Sequence, residues 1–312
     1  MIKTSAPGSL MLMGEHAVLH DKLAICAAVD QRVHIQLQPR SQDNKVFFSS
    51  NVFTPYETTL SVLTIQKPYQ FISAALLAYQ AYLTQGCNIT IQSDFLPTLG
   101  LGSSAAVTVA CVAAIRQWLG LSLNLATIMQ SARTIVRQVQ GCGSGSDVAA
   151  STFGGAVLYR QDDLSPQLLH DLPELTAVYC GYKTPTVEVI HSVKERYKNK
   201  PEQLADLFER MNICTKHAAF AWEQLDWAQV GDAMHQYFQL QQELGVSDQA
   251  LDHIVARLQA QSACYGSKIS GSGLGDCAIA LGHLEPDLLP DAIVPTAQQL
   301  SIKLSQTGVA YG

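Results

Sequence analysis

The chain has 312 residues, 47% apolar and 15% charged, which suits a compact protein with two separately packed cores. Its 20 basic and 26 acidic residues give a net charge of −6, which argues against nucleic acid as a partner, because phosphate contacts need a basic face. The start, Met1-Ile2-Lys3-Thr4-Ser5-Ala6-Pro7, has no hydrophobic signal core, and no apolar run reaches the roughly 18–20 residues of a membrane span, so a cytoplasmic protein without a membrane partner is expected.

Short strand-like runs come first. Residues 24–29 are small and apolar, and residues 33–37 alternate with Val33, Ile35 and Leu37 on one face, as do residues 88–93. Helical patterns cover 69–83, 105–119 and 125–138, and Gly154-Gly155 turns into a strand ending at Tyr159. Pro166 and Pro173 flank a polar connection, after which residues 177–181 read as a strand. Helical patterns then fill 186–197, 201–224, 227–244 and 247–261. A glycine-rich turn at 270–275 enters the apolar run 277–281, and residues 302–310 alternate like a last strand. Two α+β halves follow, residues 1–165 and 166–312.

None of the eight cysteines forms a C-x-x-C pair, and several lie in apolar runs, so reduced buried thiols are expected rather than disulfides or structural zinc. His16 and His20 fall in a predicted turn and strand, and His34, His170, His191, His217, His235, His253 and His283 are scattered, so the histidines predict no metal site.

The most informative stretch is Pro97-Thr98-Leu99-Gly100-Leu101-Gly102-Ser103-Ser104-Ala105-Ala106. Its glycines let the backbone turn tightly and approach a ligand. Its serines stand where a helix begins, and the free N–H groups of a helix start bind anions. A serine hydroxyl there suits Mg²⁺, a hard cation that prefers oxygen. Glycine and serine alone also fit a plain turn with serine N-caps. No lysine follows the glycines, so this is not the lysine-bearing P-loop. Farther on, Asp147 in Gly143-Ser144-Gly145-Ser146-Asp147-Val148-Ala149-Ala150-Ser151 opens a helix, either as a favourable helix-start carboxylate or as a base.

The order Pro-x-x-Gly-Leu-Gly-Ser-Ser-Ala-Ala resembles the central motif of the GHMP kinases, the galacto-, homoserine, mevalonate and phosphomevalonate kinases. Two flanking motifs support the resemblance: Ser5 to His20, with Gly14-Glu15-His16-Ala17-Val18, and Gly266 to Cys277, with Ser270-Gly271-Ser272-Gly273-Leu274-Gly275-Asp276. The resemblance implies a two-domain α+β fold, an N-terminal ribosomal-protein-S5-like domain and a C-terminal ferredoxin-like domain with the active site between them. ATP phosphates would lie on Pro97, Gly100, Leu101, Gly102, Ser103, Ser104, Ala105, Gly271 and Gly273, with Mg²⁺ on Ser104. Glu15 and His16 would orient the acceptor, joined by Lys183 and Thr186 of Gly181-Tyr182-Lys183-Thr184-Pro185-Thr186. Thr186 also fits the N-cap of the next helix. Asp147 would take the acceptor's proton.

Two departures stand out. Ser9 occupies the position where mevalonate kinases carry lysine, leaving Lys183, Lys268 or Lys3 to compensate. No Asp or Glu occurs from Phe95 to Ser146, where the family carries a magnesium-binding glutamate, so the metal would rest on Ser104, phosphates, water and Asp147 or Glu15. Gly14-Glu15-His16-Ala17-Val18-Leu19-His20 is similar to mevalonate kinases, whereas Gly-Ser-Gly-x-Asp and Gly-Asp-Cys resemble phosphomevalonate kinases. The implied activity is ATP- and Mg²⁺-dependent phosphorylation of the mevalonate 5-hydroxyl by a monomer or homodimer. The alternatives are phosphomevalonate, another small alcohol or sugar, or an inactive ligand-binding relative.

Overall fold

The computed structural model describes residues 1–41, 43–282, 284 and 291–312; His283 lies outside them. The first sheet is built on β1 (Ile2–Met13) and β2 (Leu23–Pro39), an antiparallel pair. Across its other edge β2 pairs with β5 (Cys87–Ser93) along one half and with β6 (Ala156–Arg160) along the other. The sheet is completed by β3 (Lys45–Ser50), parallel to β5, by β4 (Tyr56–Thr59) on β3, and by β7 (Gln167–Leu169) on β6. Residues 24–29 are buried throughout, because α4 (Ser146–Phe153) and α6 (Pro201–Glu223) both pack on β2, which explains an unbroken apolar run. Val33, Ile35 and Leu37 alternate with partly exposed neighbours where one face is covered.

Helix α2 (Ser103–Trp118) joins α4 in covering this sheet, and α1 (Gln70–Ala78) and α3 (Leu125–Gln140) pack against α2. Ala105, Ala106, Ala110, Ala113 and Ala114 of α2 are buried, and their small side chains let the helix lie close to β1. The Thr4 hydroxyl donates to the Ala110 carbonyl at 2.7 Å across that contact.

The second sheet is antiparallel, in the order β11 (Gln298–Leu300), β8 (Leu175–Lys183), β10 (Gly275–Leu281), β9 (Gly266–Ser270). It is covered by α7 (Trp227–Leu244) and α8 (Gln249–Gln259), while α5 (Thr186–Arg196) follows β8 directly. The periodic helices predicted at 186–197, 201–224, 227–244 and 247–261 correspond to α5–α8.

Two local expectations need correction. Residues 302–310 do not form a continuous strand: Leu304 makes one bridge to Val29, and only β12 (Ala310–Tyr311) pairs, with β1. The reason is that Ser305 serves two elements, its N–H donating to the Ala28 carbonyl and its carbonyl accepting from Gly155, so the tail plugs a gap instead of extending an edge. Residues 17–20 form a short 3-10 helix in place of a strand, because Gly14 (φ 96°) and His16 (φ 60°) turn the chain sharply after β1.

The two sheets are bolted together where their loops meet. His16 Nε2 donates to the Ser272 carbonyl at 2.8 Å, Tyr237 Oη donates to the Glu15 carbonyl at 2.8 Å, and the Cys277 thiol donates to the Leu99 carbonyl at 3.2 Å. These contacts join the turn after β1 and the loop before α2 to Tyr237 of α7, the loop before β10 and Cys277 of β10 itself.

Candidate active site

That meeting point is a cleft of about 460 Å³. One wall is the loop leading into α2. Gly100 (φ 74°) and Gly102 (φ 60°) adopt left-handed conformations, and both are hemmed in. A Cβ at Gly100 would stand 1.8 Å from Asp276 Oδ1, and one at Gly102 would stand 2.1 Å from Ser9 Oγ. Gly102 is also the N-cap of α2 and no side chain caps that end, so the serine N-cap alternative does not hold. The uncapped start of a 16-residue helix, with Ser103, Ser104 and Ala105, faces the cleft beside Pro97. Replacing Gly102 by alanine is expected to push Ser9 off Asp147 and to cost about 1–2 kcal/mol of backbone strain; thermal melting and turnover of the variant check both effects.

Asp147 lies in the first turn of α4. Its Oδ1 accepts the Ser9 hydroxyl at 2.8 Å and the Cys26 thiol at 3.7 Å. Burial raises its pKa above the ordinary carboxylate value; Ser9 and Lys183 pull it back only in part.

Lys183 ends β8, with Nζ 2.9 Å from Asp276 Oδ2. Burial lowers its pKa, but the adjacent Asp276 and the nearby Asp147 more than offset that, so it stays charged. Of the three lysines named as compensating for Ser9, this one lines the cleft. Lys268 is fully buried in an ion pair with Glu15 and bonded to the Ile269 carbonyl, and Lys3 lies exposed on β1.

Glu15 and His16 border the cleft but are only 3% and 7% exposed. The Glu15 carboxylate is bonded to Lys268, whose ammonium also sits 5.3 Å from the centre of the Tyr237 ring. Burial lowers the His16 pKa, so its ring is neutral and carries its proton on Nε2 toward Ser272. Thr186 is the first residue of α5, with Pro185 as the N-cap, so its hydroxyl does not cap that helix; it lies on the cleft 3.5 Å from the Ser272 hydroxyl. Gly271 lines the cleft as well.

Two of the residues expected at the phosphates do not line it. Leu101 is buried beneath its loop, where its carbonyl accepts the Ser9 N–H at 3.0 Å. Gly273 is packed against the Val246 carbonyl, 2.2 Å from where its Cβ would stand. Sequence reasoning passed over Asp276 as a site residue, although an aspartate inside a glycine loop is itself a signal. It also passed over the apolar wall of Val18, Leu19, Val187 and Ile190, which has no local signature. A second cavity of about 200 Å³, bordered by Phe53, Tyr69 and Val107, shares Pro97, Ser103 and Ser104 with the first.

No group of three or more His, Cys, Asp or Glu side chains among the described residues could hold a metal. Ser104 and Asp147 on the cleft wall offer a hydroxyl and a carboxylate, oxygen donors of the hard type that Mg²⁺ takes. No helix among the described residues is long and apolar enough to cross a membrane.

An uncapped helix start, a second glycine loop and a buried carboxylate around one cleft are the parts that a phosphotransferase acting on small molecules requires. Comparison with known proteins agrees. The N-terminal domain model of the GHMP kinases matches residues 69–155 and the C-terminal model matches residues 217–292. The mevalonate kinase of Pyrococcus furiosus is 31% identical, covering 89% of this chain and 88% of its own, and that of Pyrococcus horikoshii is 29% identical over 90% and 88%. The crystal structure of the Methanococcus jannaschii mevalonate kinase superposes with a TM-score of 0.81 at 20% identity, covering 97% of this chain and 98% of that one. The chain belongs to the GHMP kinase family of ATP-dependent phosphotransferases and has its two-domain α+β fold.

Proposed function

We propose that the protein transfers the γ-phosphoryl group of ATP to the 5-hydroxyl of mevalonate. The observation that carries this reading is the charge inventory of the cleft. Lys183 is the one lysine or arginine lining it among the described residues, beside three carboxylates, Glu15, Asp147 and Asp276. An acceptor with a single carboxylate can be matched by one ammonium. A phosphorylated acceptor brings up to about two further negative charges, for which this cleft has no counter-charge. Val18, Leu19, Val187 and Ile190 suit the methyl and methylene groups of a branched hydroxy acid better than a sugar's hydroxyls. The similarity to mevalonate kinases from Pyrococcus supports the same choice.

In this reading residues 1–165 and 166–312 act as two halves. The first brings the phosphate loop, the base and, in the Phe53–Tyr69 cavity, an apolar seat for the nucleotide base. The second brings Lys183, Thr186 and the loop at Gly271. N–H groups at the start of α2 hold the phosphates. Bound Mg²⁺, on Ser104 and Asp147, would neutralise phosphate charge. Ser9 and Cys26 hold the Asp147 carboxylate in place. The acceptor oxygen forms its bond to the γ-phosphorus as the bond to the β-phosphate oxygen breaks. ADP leaves, and the hydroxyl proton passes to Asp147.

The test is Mg²⁺-ATP-dependent ADP release with mevalonate, 5-phosphomevalonate, galactose and homoserine. Turnover with mevalonate and none with 5-phosphomevalonate is expected. Turnover with 5-phosphomevalonate instead would show that the cleft accommodates a phosphorylated acceptor without further counter-charge and would overturn this reading.

A further inference from the structure

Asp276 sits at a break in the strand ladder. Gly275 pairs with Lys183 and Cys277 with Tyr179, so the single residue Asp276 faces three, Cys180, Gly181 and Tyr182, and the surplus bulges out of β8 just before Lys183. Bulges of this kind re-aim a side chain. Asp276 takes φ 77°, a left-handed value uncommon outside glycine. Its side chain is 5% exposed and reaches back into the wall of the cleft.

Three neighbours are shaped around it. Oδ2 lies 2.9 Å from Lys183 Nζ. Oδ1 is buried without a hydrogen-bond partner and rests on Gly100 of the phosphate loop, where any Cβ would collide with it at 1.8 Å. A Cβ on Gly271, in the second glycine loop, would come within 2.7 Å of Oδ2. A strained backbone and a buried, half-satisfied carboxylate beside an anion site are both costly. Stability does not explain such an arrangement; control of the side chain it touches does.

That side chain is the flexible one. Lysine has four rotatable bonds, and an unrestrained one spreads its charge over many rotamers. We propose that Asp276 is a positioning residue that holds the Lys183 ammonium over the phosphate loop, so that Lys183 meets the reactants' anionic groups beside Asp147 as a pre-aligned charge. The inference rests on the phosphotransferase reading but not on the identity of the acceptor. Catalysis that depends on placement loses up to about a hundredfold from misplacement on the ångström scale.

The experiment is a double-mutant cycle of Asp276→Asn and Lys183→Met, read as kcat/KM on whichever acceptor the wild-type protein turns over. Affinity for a fluorescent ATP analogue is measured in parallel, so loss of mevalonate as the acceptor leaves the test readable. Asp276→Asn is expected to cost about ten- to a hundredfold in the wild-type background and less than about twofold in Lys183→Met. Lys183 is faced by Asp276, Asp147 and Cys277, and Asp276 does most to raise its pKa. The alkaline limb of kcat/KM should therefore move to lower pH in Asp276→Asn, an effect a merely structural residue would not produce. Equal losses in both backgrounds, or an alkaline limb that stays in place, would overturn the proposal. Melting curves and nucleotide binding identify a variant that has failed to fold, and Asp276→Ser, which also removes the carboxylate, then serves in its place.

Discussion

Replacing Asp147 by asparagine is expected to lower kcat by about 10²–10⁴-fold, the usual contribution of a positioned general base, while the melting temperature rises. The two effects share one cause. Burial raises the Asp147 pKa more than Ser9 and Lys183 lower it. An acid that binds its proton more tightly when folded gives its full stability below its unfolded pKa and loses it as pH rises through the folded value. At neutral pH the ionised carboxylate is therefore a burden on the fold, and a neutral amide of the same shape relieves it. The shift has a kinetic signature in the wild-type protein. The base must be ionised, so the acid limb of kcat/KM should lie above 3.8, the unperturbed value for aspartate. Nucleotide binding in the variant should survive. Near-normal turnover would remove Asp147 from the chemistry, and a lower melting temperature would contradict the burial argument.

Lys268→Met is the second large effect, expected in stability. Lys268 and Glu15 are 0% and 2% exposed, and they join β9 to the turn after β1. Breaking a buried ion pair by removing one partner costs about 3–5 kcal/mol, because the other charge stays buried. For a chain of this size that is a fall of roughly 10 °C in melting temperature. The deficit should depend on pH. Burial already raises the Glu15 pKa, and Lys268 is what pulls it back. Without the lysine the folded pKa climbs further, so the variant's stability is greatest in mild acid and declines as pH rises through that value. Adding Glu15→Gln should recover most of the loss by removing the stranded charge. A variant as stable as wild type across the pH range would show that the pair bears no strain.

The parts legible in the sequence are those whose physics is local. α5–α8 announce themselves through apolar periodicity, and the Gly100–Ser104 loop through glycines that only a tight left-handed turn requires. Asp147 could be placed at a helix start because Gly143 and Gly145 break the chain before it. The strands β3 and β4 escaped notice because they are short, and β3 owes its place to a parallel pairing with β5 about forty residues on, as Val46 lies opposite Cys87. Pairings across long stretches were equally hidden. Glu15 meets Lys268 across 253 residues of chain, and nothing near either one signals the other. The family resemblance pointed to Glu15 as an acceptor contact; in the fold its carboxylate is engaged by that lysine. Lys183 is legible as a candidate, but its pairing with Asp276 depends on a bulge in β8 that spacing does not encode.

In the proposed function one counter-charge and one buried base select a singly charged alcohol. The most direct test is a competition. Equal concentrations of mevalonate and 5-phosphomevalonate are offered to the wild-type protein with Mg²⁺-ATP, and the products are followed by phosphorus NMR. Growth of a phosphomonoester signal from 5-phosphomevalonate is expected, with no diphosphate product other than ADP. Appearance of 5-diphosphomevalonate, or ADP formation with neither acceptor consumed, would contradict the proposed function.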